Sequence, residues 1–386
     1  MTDARVGVGV VGTGFMAGAH LDALRRLPEV EIIAVAGHDP GHTAELAARH
    51  GARAYGDYRE LLDDPAVESV HTCTINRLHH DVNLAALERG KHVLSEKPLA
   101  IDSQESARLI AVAEQAGVVS GVCFNYRHYP LIAQIRAMLQ SGEYGAPHLI
   151  HGHYLQDWLL LQTDWNWRLQ EADGGASRAV ADIGSHWADL VQHVTGDPVV
   201  AVFADLGTLH PTRVRAGADH ATFASGARAG GERQAVETED YGSVLLRFLS
   251  GARGAFTVSQ TSAGRKNDLS FQIDAAHAAF AWNQEHPDHA WVGRRSGANL
   301  ELVRDPATAT LSSLPPGHAE GWSDALRNLF ADFYANVAAH RAGEGRESDV
   351  ASFRDGHARV QLVEAVVTSH REQRWAAVQS PTEVPA

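Results

Sequence analysis

The feature that most constrains the fold of this chain is the stretch VGVVGTGFMAG at residues 8–18. A β-rich run ends at Gly12 and a predicted helix follows over residues 17–27, so the pattern Gly12-x-Gly14-x-x-Ala17 joins a strand to a helix. The first glycine permits a tight turn, the second lets a pyrophosphate approach the backbone, and the helix amino terminus receives its charge. We therefore predict a dinucleotide site that includes Gly12, Gly14, Phe15 and Met16; the alternative is a merely tight strand–helix turn.

Strand and helix patterns alternate up to about residue 125, which predicts a doubly wound parallel sheet of the α/β class. The predicted strands cover residues 6–11, 31–36, 67–74, 92–94 and 118–124, and the predicted helices cover 17–27, 43–50, 80–89 and 103–116. A chain of 386 residues suggests two domains, so we assign residues 1–125 to an NAD(P)-binding Rossmann domain.

Residues 126–386 change pattern and are predicted to form an α+β domain with an open, mostly antiparallel sheet. The predicted strands are 148–157, 199–208, 243–249, 254–260, 269–273 and 278–282, with a hairpin turn at Ser250-Gly251. The predicted helices are 130–140, 185–194, about 326–337 and 353–371, the last packing back near the domain interface. We expect a mobile surface loop over 211–238 and a loose tail after Ser380.

Composition excludes several classes of function. Apolar residues make up 44% and charged residues 21% of the chain, as in ordinary globular enzymes, and the net charge of −14 argues against a nucleic-acid partner. Cys73 and Cys123 lie among apolar and small residues and are predicted to be buried free thiols. We see no signal-peptide core and no membrane span, so the expectation is a cytoplasmic protein with no membrane partner.

The end of the second strand bears on the choice of cofactor. A carboxylate there binds the ribose hydroxyls of NAD, whereas an arginine accepts the extra phosphate of NADP. This chain has Gly37-His38-Asp39, with glycine where the acid is expected and no arginine after it. NAD is favoured and NADP stays open; Asp39 either reaches the ribose or caps the next helix, and His38 is assigned to the same site.

Two further strands end in polar residues, where open α/β sheets bind ligands. Asn76 and His79 follow the strand that ends at Thr74 and are assigned to the cofactor, although a turn residue and a surface histidine are the simpler alternatives. Glu96-Lys97-Pro98 follows the strand at 92–94. Lys97 points at the same crevice, and a cationic nicotinamide ring beside it disfavours its charged form, which suits a group that exchanges an alcohol proton. The alternative is a surface ion pair between Lys97 and Glu96.

Asp182 and His186, in ADIGSHWADL, are four residues apart at the start of a predicted helix. Helical spacing places both on one face, where a carboxylate orients an imidazole for acid–base chemistry. The alternative is a helix N-cap beside an already satisfied histidine.

A tryptophan-rich segment suits a carbohydrate, because sugars stack on aromatic rings and need polar partners for their hydroxyls. It contributes Asp157, Trp158, Trp165, Trp167 and Arg168, with buried core tryptophans as the alternative. Positive charge for an anionic sugar is available from these residues, which are equally well placed to be solvated: Arg127, Arg168, Arg178, Arg265 and Lys266. His151 and His153 share a strand face, but without a cysteine or carboxylate set we predict no metal.

In this order, Gly12-x-Gly14-x-x-Ala17, Glu96-Lys97-Pro98, Tyr126-Arg127 and Asp182-x-Gly184-x-His186 resemble the Gfo/Idh/MocA family (glucose–fructose oxidoreductase/inositol dehydrogenase-like oxidoreductases). The resemblance covers nearly the whole chain, including Glu239-Asp240-Tyr241 before a strand. It implies a Rossmann domain, an open-sheet domain that often forms dimers or tetramers, and Lys97, Asp182 and His186 as the catalytic set. We also assign Glu96, Lys97 and Arg127 to the cofactor site, and Tyr126, Arg178, Asp182 and His186 to the substrate site.

One departure concerns the substrate. Many members have a compact run of three glycines before the aspartate, whereas here Gly174-Gly175 is followed by the longer approach 176–181. The resemblance therefore implies an NAD(P)-dependent dehydrogenase of a sugar, cyclitol or glycoside, levoglucosan being one candidate. The alternative it offers is an NAD-dependent glycoside hydrolase that oxidises C3 transiently, on an anionic glycoside such as a sulfoquinovoside. The retained catalytic set argues against a third class, a non-catalytic NAD-binding regulator.

Overall fold

A computed structural model describes residues 5–215, 230–306 and 312–379. The chain divides into two compact units. The first unit comprises Met1–His128 and Trp322–His357, and the second unit comprises Tyr129–Gly321 and Ala358–Ala386.

The first unit is built on a parallel six-stranded sheet in the order β3-β2-β1-β4-β5-β6. Its strands are β1 (Val6–Val11), β2 (Val30–Ala36), β3 (Arg53–Tyr55), β4 (Ser69–Thr72), β5 (His92–Ser95) and β6 (Ser120–Val122). Its helices are α1 (Phe15–Leu24), α2 (Pro40–Arg49), α3 (Tyr58–Asp63), α4 (His79–Glu88) and α5 (Ser103–Ala116). This strand order is that of dinucleotide-binding folds, so the predicted α/β Rossmann domain is confirmed.

The first unit also includes the long helix α9 (Trp322–Arg341), far along the chain. Its apolar face, with Leu329, Phe330, Phe333 and Val337 fully buried, packs into the same core as the β1 valines. The compact units thus differ from the predicted division at residue 125. Local pattern shows that α9 is amphipathic, but only packing shows which core it covers.

The second unit contains a nine-stranded sheet in the order β16-β15-β14-β13-β7-β12-β11-β8-β17. Its strands are β7 (Pro147–Leu155), β8 (Val199–Gly207), β11 (Tyr241–Phe248), β12 (Arg253–Ser259), β13 (Asp268–Ala275), β14 (Ala278–Asn283), β15 (Ala290–Arg294), β16 (Leu300–Leu302) and β17 (Ala376–Ala377). Every pairing is antiparallel except that of β7 with β12, which confirms the predicted mostly antiparallel sheet.

Helices α6 (Pro130–Gln140), α7 (Glu171–Gly174) and α8 (Ser185–Thr195) belong to the second unit, while α10 (Phe353–Glu372) begins in the first unit and continues in the second. Trp187 fixes α8 to the sheet: its ring stacks on Phe256 at 4.8 Å and its Nε1 donates to the Ser270 carbonyl at 2.8 Å. A buried face of this kind explains why α8 lies across the sheet as predicted.

The predicted surface loop at 211–238 is wrong at both ends. Strands β9 (Thr212–Arg215) and β10 (Glu232–Ala235) pair antiparallel there, because Arg213 is drawn into the core by buried partners. The part of the prediction covering 216–229, and the loose tail after Ser380, fall outside the described residues. Among the residues that the structure describes, no helix combines the length and the apolar character needed to cross a bilayer.

Candidate active-site residues in each unit

The turn after β1 is made by Gly12 and Gly14. Gly12 has φ +118°, and a Cβ there would lie 2.3 Å from the Cys73 carbonyl oxygen, so only glycine fits. Gly14 is the exposed N-cap of α1, and apart from its chain neighbours and the backbone of its own helix no atom of the described residues lies within 4 Å of a Cβ placed on it. The amino terminus of α1 is therefore bare, as a pyrophosphate requires. Phe15 is 52% exposed beside it, and Met16 is partly buried.

The end of β2 leaves no room for the expected acid. A Cβ on Gly37 would lie 2.4 Å from Thr13 Cγ2 and 2.6 Å from Thr43 Oγ1. Asp39 is the N-cap of α2, where its Oδ1 accepts from the His42 amide at 2.9 Å, and this hydrogen bond lowers the pKa of Asp39. The capping alternative for Asp39 is thus observed, and both His38 and Asp39 are exposed.

The loop after β4 holds His79 away from solvent. Its Nδ1 lies 2.6 Å from the Pro98 carbonyl oxygen and its Nε2 lies 3.1 Å from that of Thr74, and burial lowers its pKa. A neutral imidazole carries one N–H, and the shorter contact makes the Pro98 carbonyl its acceptor, so His79 holds the Lys97-Pro98 turn. We correct its assignment from cofactor contact to support of the Lys97-Pro98 turn. Asn76 is buried at the start of a short 3-10 helix, Asn76–Leu78.

Lys97 follows β5 directly and is partly buried, and the Lys97–Pro98 peptide bond is cis. Glu96 beside it is buried, so the alternative of a pair at the surface does not hold. Glu96 Oε2 accepts from the Lys97 amide at 3.2 Å and Oε1 lies 3.0 Å from His20 Nε2. Burial alone would raise the pKa of Glu96, but His20 and Lys97 lower it to about 2. Glu96 is therefore a carboxylate that steadies the turn carrying Lys97.

Behind Glu96 lies what we call the imidazole network: Glu96, His20, His71, Tyr334 and Ser69. His20 Nδ1 lies 2.9 Å from His71 Nδ1, His71 Nε2 lies 2.8 Å from the Tyr334 hydroxyl, and that hydroxyl lies 3.4 Å from Ser69 Oγ. All five residues are buried, and burial keeps the pKa of His71 well below its ordinary value. Since Glu96 accepts from His20 Nε2, one proton on each ring makes His71 Nδ1 the donor to His20 and Tyr334 the donor to His71.

Tyr126 and Arg127 lie in a 3-10 helix, Asn125–His128, and both are buried. Arg127 Nη2 is 3.6 Å from Asp355 Oδ1. The guanidinium assigned to the cofactor thus already has a carboxylate partner within the first unit.

In the second unit, Asp182 lies in a π-helical turn, Val180–Gly184, which continues into α8. Such turns often occur at functional sites. Asp182 Oδ1 accepts from Arg168 Nε at 3.3 Å and Oδ2 accepts from Gln260 Nε2 at 2.9 Å. The N-cap of α8 is Gly184, so the N-cap alternative for Asp182 is wrong. His186 follows in the first turn of α8, 8% exposed, with its ring 6.4 Å from that of Tyr154.

Behind Asp182 lies what we call the guanidinium network: Gln260, Arg178, Asp240 and Arg213. Arg178 donates to Gln260 Oε1 at 2.8 Å and to Asp240 Oδ1, which also accepts from Arg213 at 2.7 Å. All four side chains are buried. Arg178, predicted to contact the sugar, is corrected to a core residue, because its guanidinium is enclosed by these partners.

The long approach 176–181 is held by Glu239. Its Oε1 accepts from Ser177 Oγ at 2.7 Å, from the Val180 amide at 2.9 Å and from the Arg178 amide at 3.0 Å. The carboxylate thus caps the backbone that leads into the Asp182 turn. Sequence reasoning noted Glu239-Asp240-Tyr241 but gave these acids no role, and Gln260 and Arg213 had no local signal.

The tryptophan-rich segment is only partly available to a ligand. Trp165 is buried in a small cluster with Leu159, Leu169 and Val236, so the core alternative holds for it. Trp158 and Trp167 are partly exposed; Trp158 donates to Gln156 at 2.8 Å, and the Arg168 guanidinium lies 4.4 Å from the Trp167 ring centroid.

Asp157 does not present a free carboxylate. Its Oδ2 accepts from the Gly264 amide at 3.0 Å and from Lys266 Nζ at 2.7 Å, and so it fastens the turn around residue 265. Asp157 thus anchors this loop through one oxygen, and its assignment to the sugar stays a prediction.

One group of described residues has the spacing of metal ligands: atoms of His20, Glu96 and Cys123 lie within 4.8 Å of one another. The His20–Glu96 hydrogen bond occupies this space, and burial raises the pKa of the Cys123 thiol well above its ordinary value. A protonated thiol is a poor metal ligand, so the group is better explained as part of the hydrogen-bonded core.

A parallel sheet in this order, with a bare helix terminus after its first strand, defines the class of dinucleotide-binding oxidoreductases. Family models match both units: the oxidoreductase family with an NAD-binding Rossmann fold over residues 6–124, and the GFO/IDH/MocA C-terminal domain over residues 132–281. The chain belongs to the Gfo/Idh/MocA oxidoreductase family, and its first unit is an NAD-binding Rossmann domain.

The levoglucosan dehydrogenase of Pseudarthrobacter phenanthrenivorans is 31% identical over 394 residues, covering 96% of this chain and 97% of that protein. Among solved structures, an oxidoreductase domain protein from Kribbella flavida has a TM-score of 0.88 at 30% identity, covering 98% of this chain and 100% of that chain. A levoglucosan dehydrogenase complex with NADH and levoglucosan has a TM-score of 0.86 at 28% identity, covering 97% and 100%.

Proposed function

We propose that this protein is an NAD-dependent dehydrogenase that oxidises a ring hydroxyl of a neutral carbohydrate, such as levoglucosan, a sugar or a cyclitol. The observation that carries the proposal is the state of Asp182, a carboxylate held by two donors one turn before His186. This is the environment of a group that orients a histidine for proton transfer. The similarity to a levoglucosan dehydrogenase over 96% of the chain supports the substrate class.

The residues of the first unit fit the cofactor. Gly12 shapes the turn, Gly14 exposes the amino terminus of α1, and Gly37 keeps a side chain out of the space between Thr13 and Thr43. NAD, when bound, supplies the hydride acceptor. His38 and Asp39 are exposed after β2 and are the side chains we assign to its ribose end.

The proton chemistry falls to three side chains. Lys97, steadied by Glu96 through its own amide, accepts the hydroxyl proton of the substrate. In the second unit, His186 is the group assigned to acid–base exchange, and Asp182 orients its ring. Both Asp182 oxygens already accept hydrogen bonds, so Asp182 stays ionised and does not itself deliver the proton.

A neutral substrate is favoured because each cation considered for an anionic sugar has a carboxylate partner. The pairs are Arg127–Asp355, Arg168–Asp182, Arg178–Asp240, Arg265–Asp268 and Lys266–Asp157. The partly exposed rings of Trp158 and Trp167 offer stacking surfaces that suit a sugar without a charged group. This pairing weakens the case for an anionic glycoside, whereas the glycosidase alternative on a neutral glycoside needs the same residues and is left to the experiment below.

The decisive experiment incubates the protein with NAD and a panel comprising levoglucosan, myo-inositol, glucose and 4-nitrophenyl glycosides, and follows NADH and free nitrophenol. Stoichiometric NADH supports the dehydrogenase. Release of nitrophenol without net NADH would instead establish the glycosidase, and NAD binding with neither product would establish a regulator.

Lys97→Ala should abolish turnover, by at least about a thousandfold, because general-base catalysis and substrate positioning are lost together. NAD affinity, measured by calorimetry, should stay within about threefold, since a threefold change is under 1 kcal/mol. The matched control is Lys91→Ala at the opposite end of β5, where Nζ donates to the Val67 carbonyl at 2.6 Å. Normal turnover in Lys97→Ala would refute its assigned role.

We also propose that the open face of the nine-stranded sheet joins copies of this chain. One row across that face runs through partly or largely exposed side chains, including Leu245 at 50%, His151, Gln272 and Trp291 at 41%. A cavity of about 610 Å³ lies over His151, Gln272 and Trp291. Light scattering should give a dimer or tetramer, and Leu245→Glu with Trp291→Glu should give monomers; a monomeric parent protein would end this proposal.

A further inference from the structure

We propose that Gln260 is a positioning residue for the reaction, which holds Asp182 as a carboxylate beside His186. The inference rests on the proposed function, because it assigns a role to the support of the proposed acid–base pair. It concerns the second unit alone.

Gln260 connects the reacting end of the second unit to its core. It follows β12 and is fully buried. Its Nε2 donates to Asp182 Oδ2 at 2.9 Å, and its Oε1 accepts from Arg178 Nη1 at 2.8 Å. A 180° flip of the Gln260 amide would exchange its oxygen and its NH₂ group, so that the oxygen would face Asp182. Arginine has donors only, so Arg178 fixes the oxygen on its own side and leaves the NH₂ group for Asp182.

Arg178 is itself held in place by several hydrogen bonds. Its Nη2 donates to Asp240 Oδ1 and its Nε donates to Thr238 Oγ1 at 3.3 Å. Asp240 also accepts from Arg213 and from the His210 amide, at 2.7 and 3.0 Å. The orientation of the Gln260 amide is therefore set by groups that do not change charge at neutral pH.

This arrangement decides the charge of Asp182. Oδ2 accepts from the Gln260 amide and Oδ1 accepts from Arg168 Nε at 3.3 Å. A proton on either carboxyl oxygen would point at one of these N–H donors, so the protonated form of Asp182 is disfavoured. Among the described residues of the second unit, the charged and titratable groups around Asp182 include Arg168, Arg178 behind Gln260, and His186 on α8, with Tyr154 of β7 beside the His186 ring. These groups are mostly hydrogen-bond donors and cations, and both kinds of group stabilise the carboxylate form of Asp182.

Gln260→Glu tests the proposal. The new side chain keeps an oxygen for Arg178 but replaces the NH₂ donor to Asp182 by a second carboxylate oxygen. Two carboxylates this close share one proton over a range of pH. Arg178 stabilises the ionised form of the new carboxylate, which leaves the shared proton on Asp182 until higher pH. With levoglucosan and NAD, we expect kcat/KM of Q260E relative to the parent protein to rise about tenfold between pH 5.5 and pH 8.

The matched control is Gln192→Glu. Gln192 lies on α8, its Oε1 accepts from Arg359 Nη2 at 3.1 Å, and its Nε2 donates to the Ala188 carbonyl at 2.8 Å. The variant thus introduces the same charge beside a buried arginine without facing Asp182. Its kcat/KM relative to the parent protein should not vary with pH. A ratio for Q260E that is equally flat would overturn the proposal.

A second measurement needs no substrate. The melting temperature of Q260E should fall further below that of the parent protein as pH rises from 5.5 to 8, because the two carboxylates repel once both are ionised. A deficit independent of pH, as expected for Q192E, would contradict the proposal. If levoglucosan and the whole panel are not oxidised, the proposed function fails, but this comparison still decides the role of Gln260.

Should Q260E not fold, Gln260→Met carries the test. Methionine fills a similar volume and removes the donor without adding charge. The ratio of kcat/KM of this variant to that of the parent protein should then rise by about threefold between pH 5.5 and pH 8, because the Asp182 carboxylate loses one hydrogen bond. A flat ratio in that variant would refute the assignment.

Discussion

The two units support their candidate residues with buried polar networks of opposite kinds. The imidazole network of the first unit holds Glu96, which steadies Lys97, and its other members are imidazole rings and hydroxyls. The guanidinium network of the second unit holds Asp182 through Gln260 and contains the cations Arg178 and Arg213 around Asp240. One network is a chain of hydrogen bonds between imidazoles and hydroxyls that ends at a carboxylate, whereas the other pairs its carboxylate with two guanidinium groups.

The difference has a consequence for stability. A buried ion pair is costly to break, because removing one partner leaves an uncompensated charge in the core. A chain of hydrogen bonds between imidazoles and hydroxyls loses only the bonds themselves, but burial disfavours the protonated form of His71 in the folded state. The second unit should therefore be sensitive to substitution of its acid, and the first unit should be sensitive to acidification.

Asp240→Asn should have the largest effect. Burial alone would raise the pKa of Asp240, but Arg178 and Arg213 lower it, so the group is a carboxylate at neutral pH. The amide leaves both guanidinium groups buried without their shared anion, which should cost about 3–5 kcal/mol in the free energy of unfolding. Denaturant unfolding at pH 7.5 measures it, and a loss below about 1 kcal/mol would show that this network is not ionic in effect.

Glu96→Gln makes the same change of charge in the imidazole network and should cost less. The amide oxygen still accepts from His20, while the Lys97 amide loses its acceptor, so we expect about 1–2 kcal/mol. The comparison uses the same denaturant series. A cost equal to that of Asp240→Asn would mean that the imidazoles carry a positive charge, and the contrast between the networks would disappear.

Mild acid should destabilise the first unit more than the second, and this effect should be smaller than that of either substitution. Burial lowers the pKa of His71 and brings those of His128 and His92 to about 4. Histidines with a folded-state pKa below the unfolded value of about 6.5 make the unfolded state bind more protons between these values, so stability falls as pH drops from about 6.5 to about 4. A fully buried histidine such as His128 should lower the free energy of unfolding by about 1 kcal/mol at pH 5.5 relative to neutral pH.

Asp240 behaves differently in that window. Its folded-state pKa is lowered from 3.8, so its contribution is fully present above that pH and is lost only in stronger acid. Hydrogen exchange at pH 7.5 and 5.5, corrected for the intrinsic rate, should show lost protection in the first unit and little change around Asp240. Equal losses of hydrogen-exchange protection in both units would contradict the expected difference in acid sensitivity between them.

Much of the first unit was predictable because its signals are local. Gly12 and Gly14 bracket a turn that few other residues can make, and Lys97 follows an apolar strand whose end the chain marks with Pro98. Helices at 103–116 and 130–140 were predicted at their observed bounds, since periodicity and end signals agree there. The short strand β3, only three residues long, and helix α3 were missed, because segments of that length have no clear period.

The misassigned site residues share a different cause. Arg178 pairs with Asp240 across 62 positions. His79 is bound to Pro98 by a hydrogen bond that no local pattern announces. A polar side chain near a predicted site looks available until its partner is known, and the partner is chosen by packing.

The sequence by itself determined the succession of strands and helices, the glycine turn, and the places at which Lys97, Asp182 and His186 stand. These follow from periodicity, from backbone sterics and from residue order, all of which act over a few residues. The tertiary structure decided which core α9 covers, and it decided that Glu96 and Arg178 are enclosed while Asp182 meets two donors. Burial and hydrogen bonding between distant segments fix those outcomes, because a buried charge must find a partner wherever the fold supplies one.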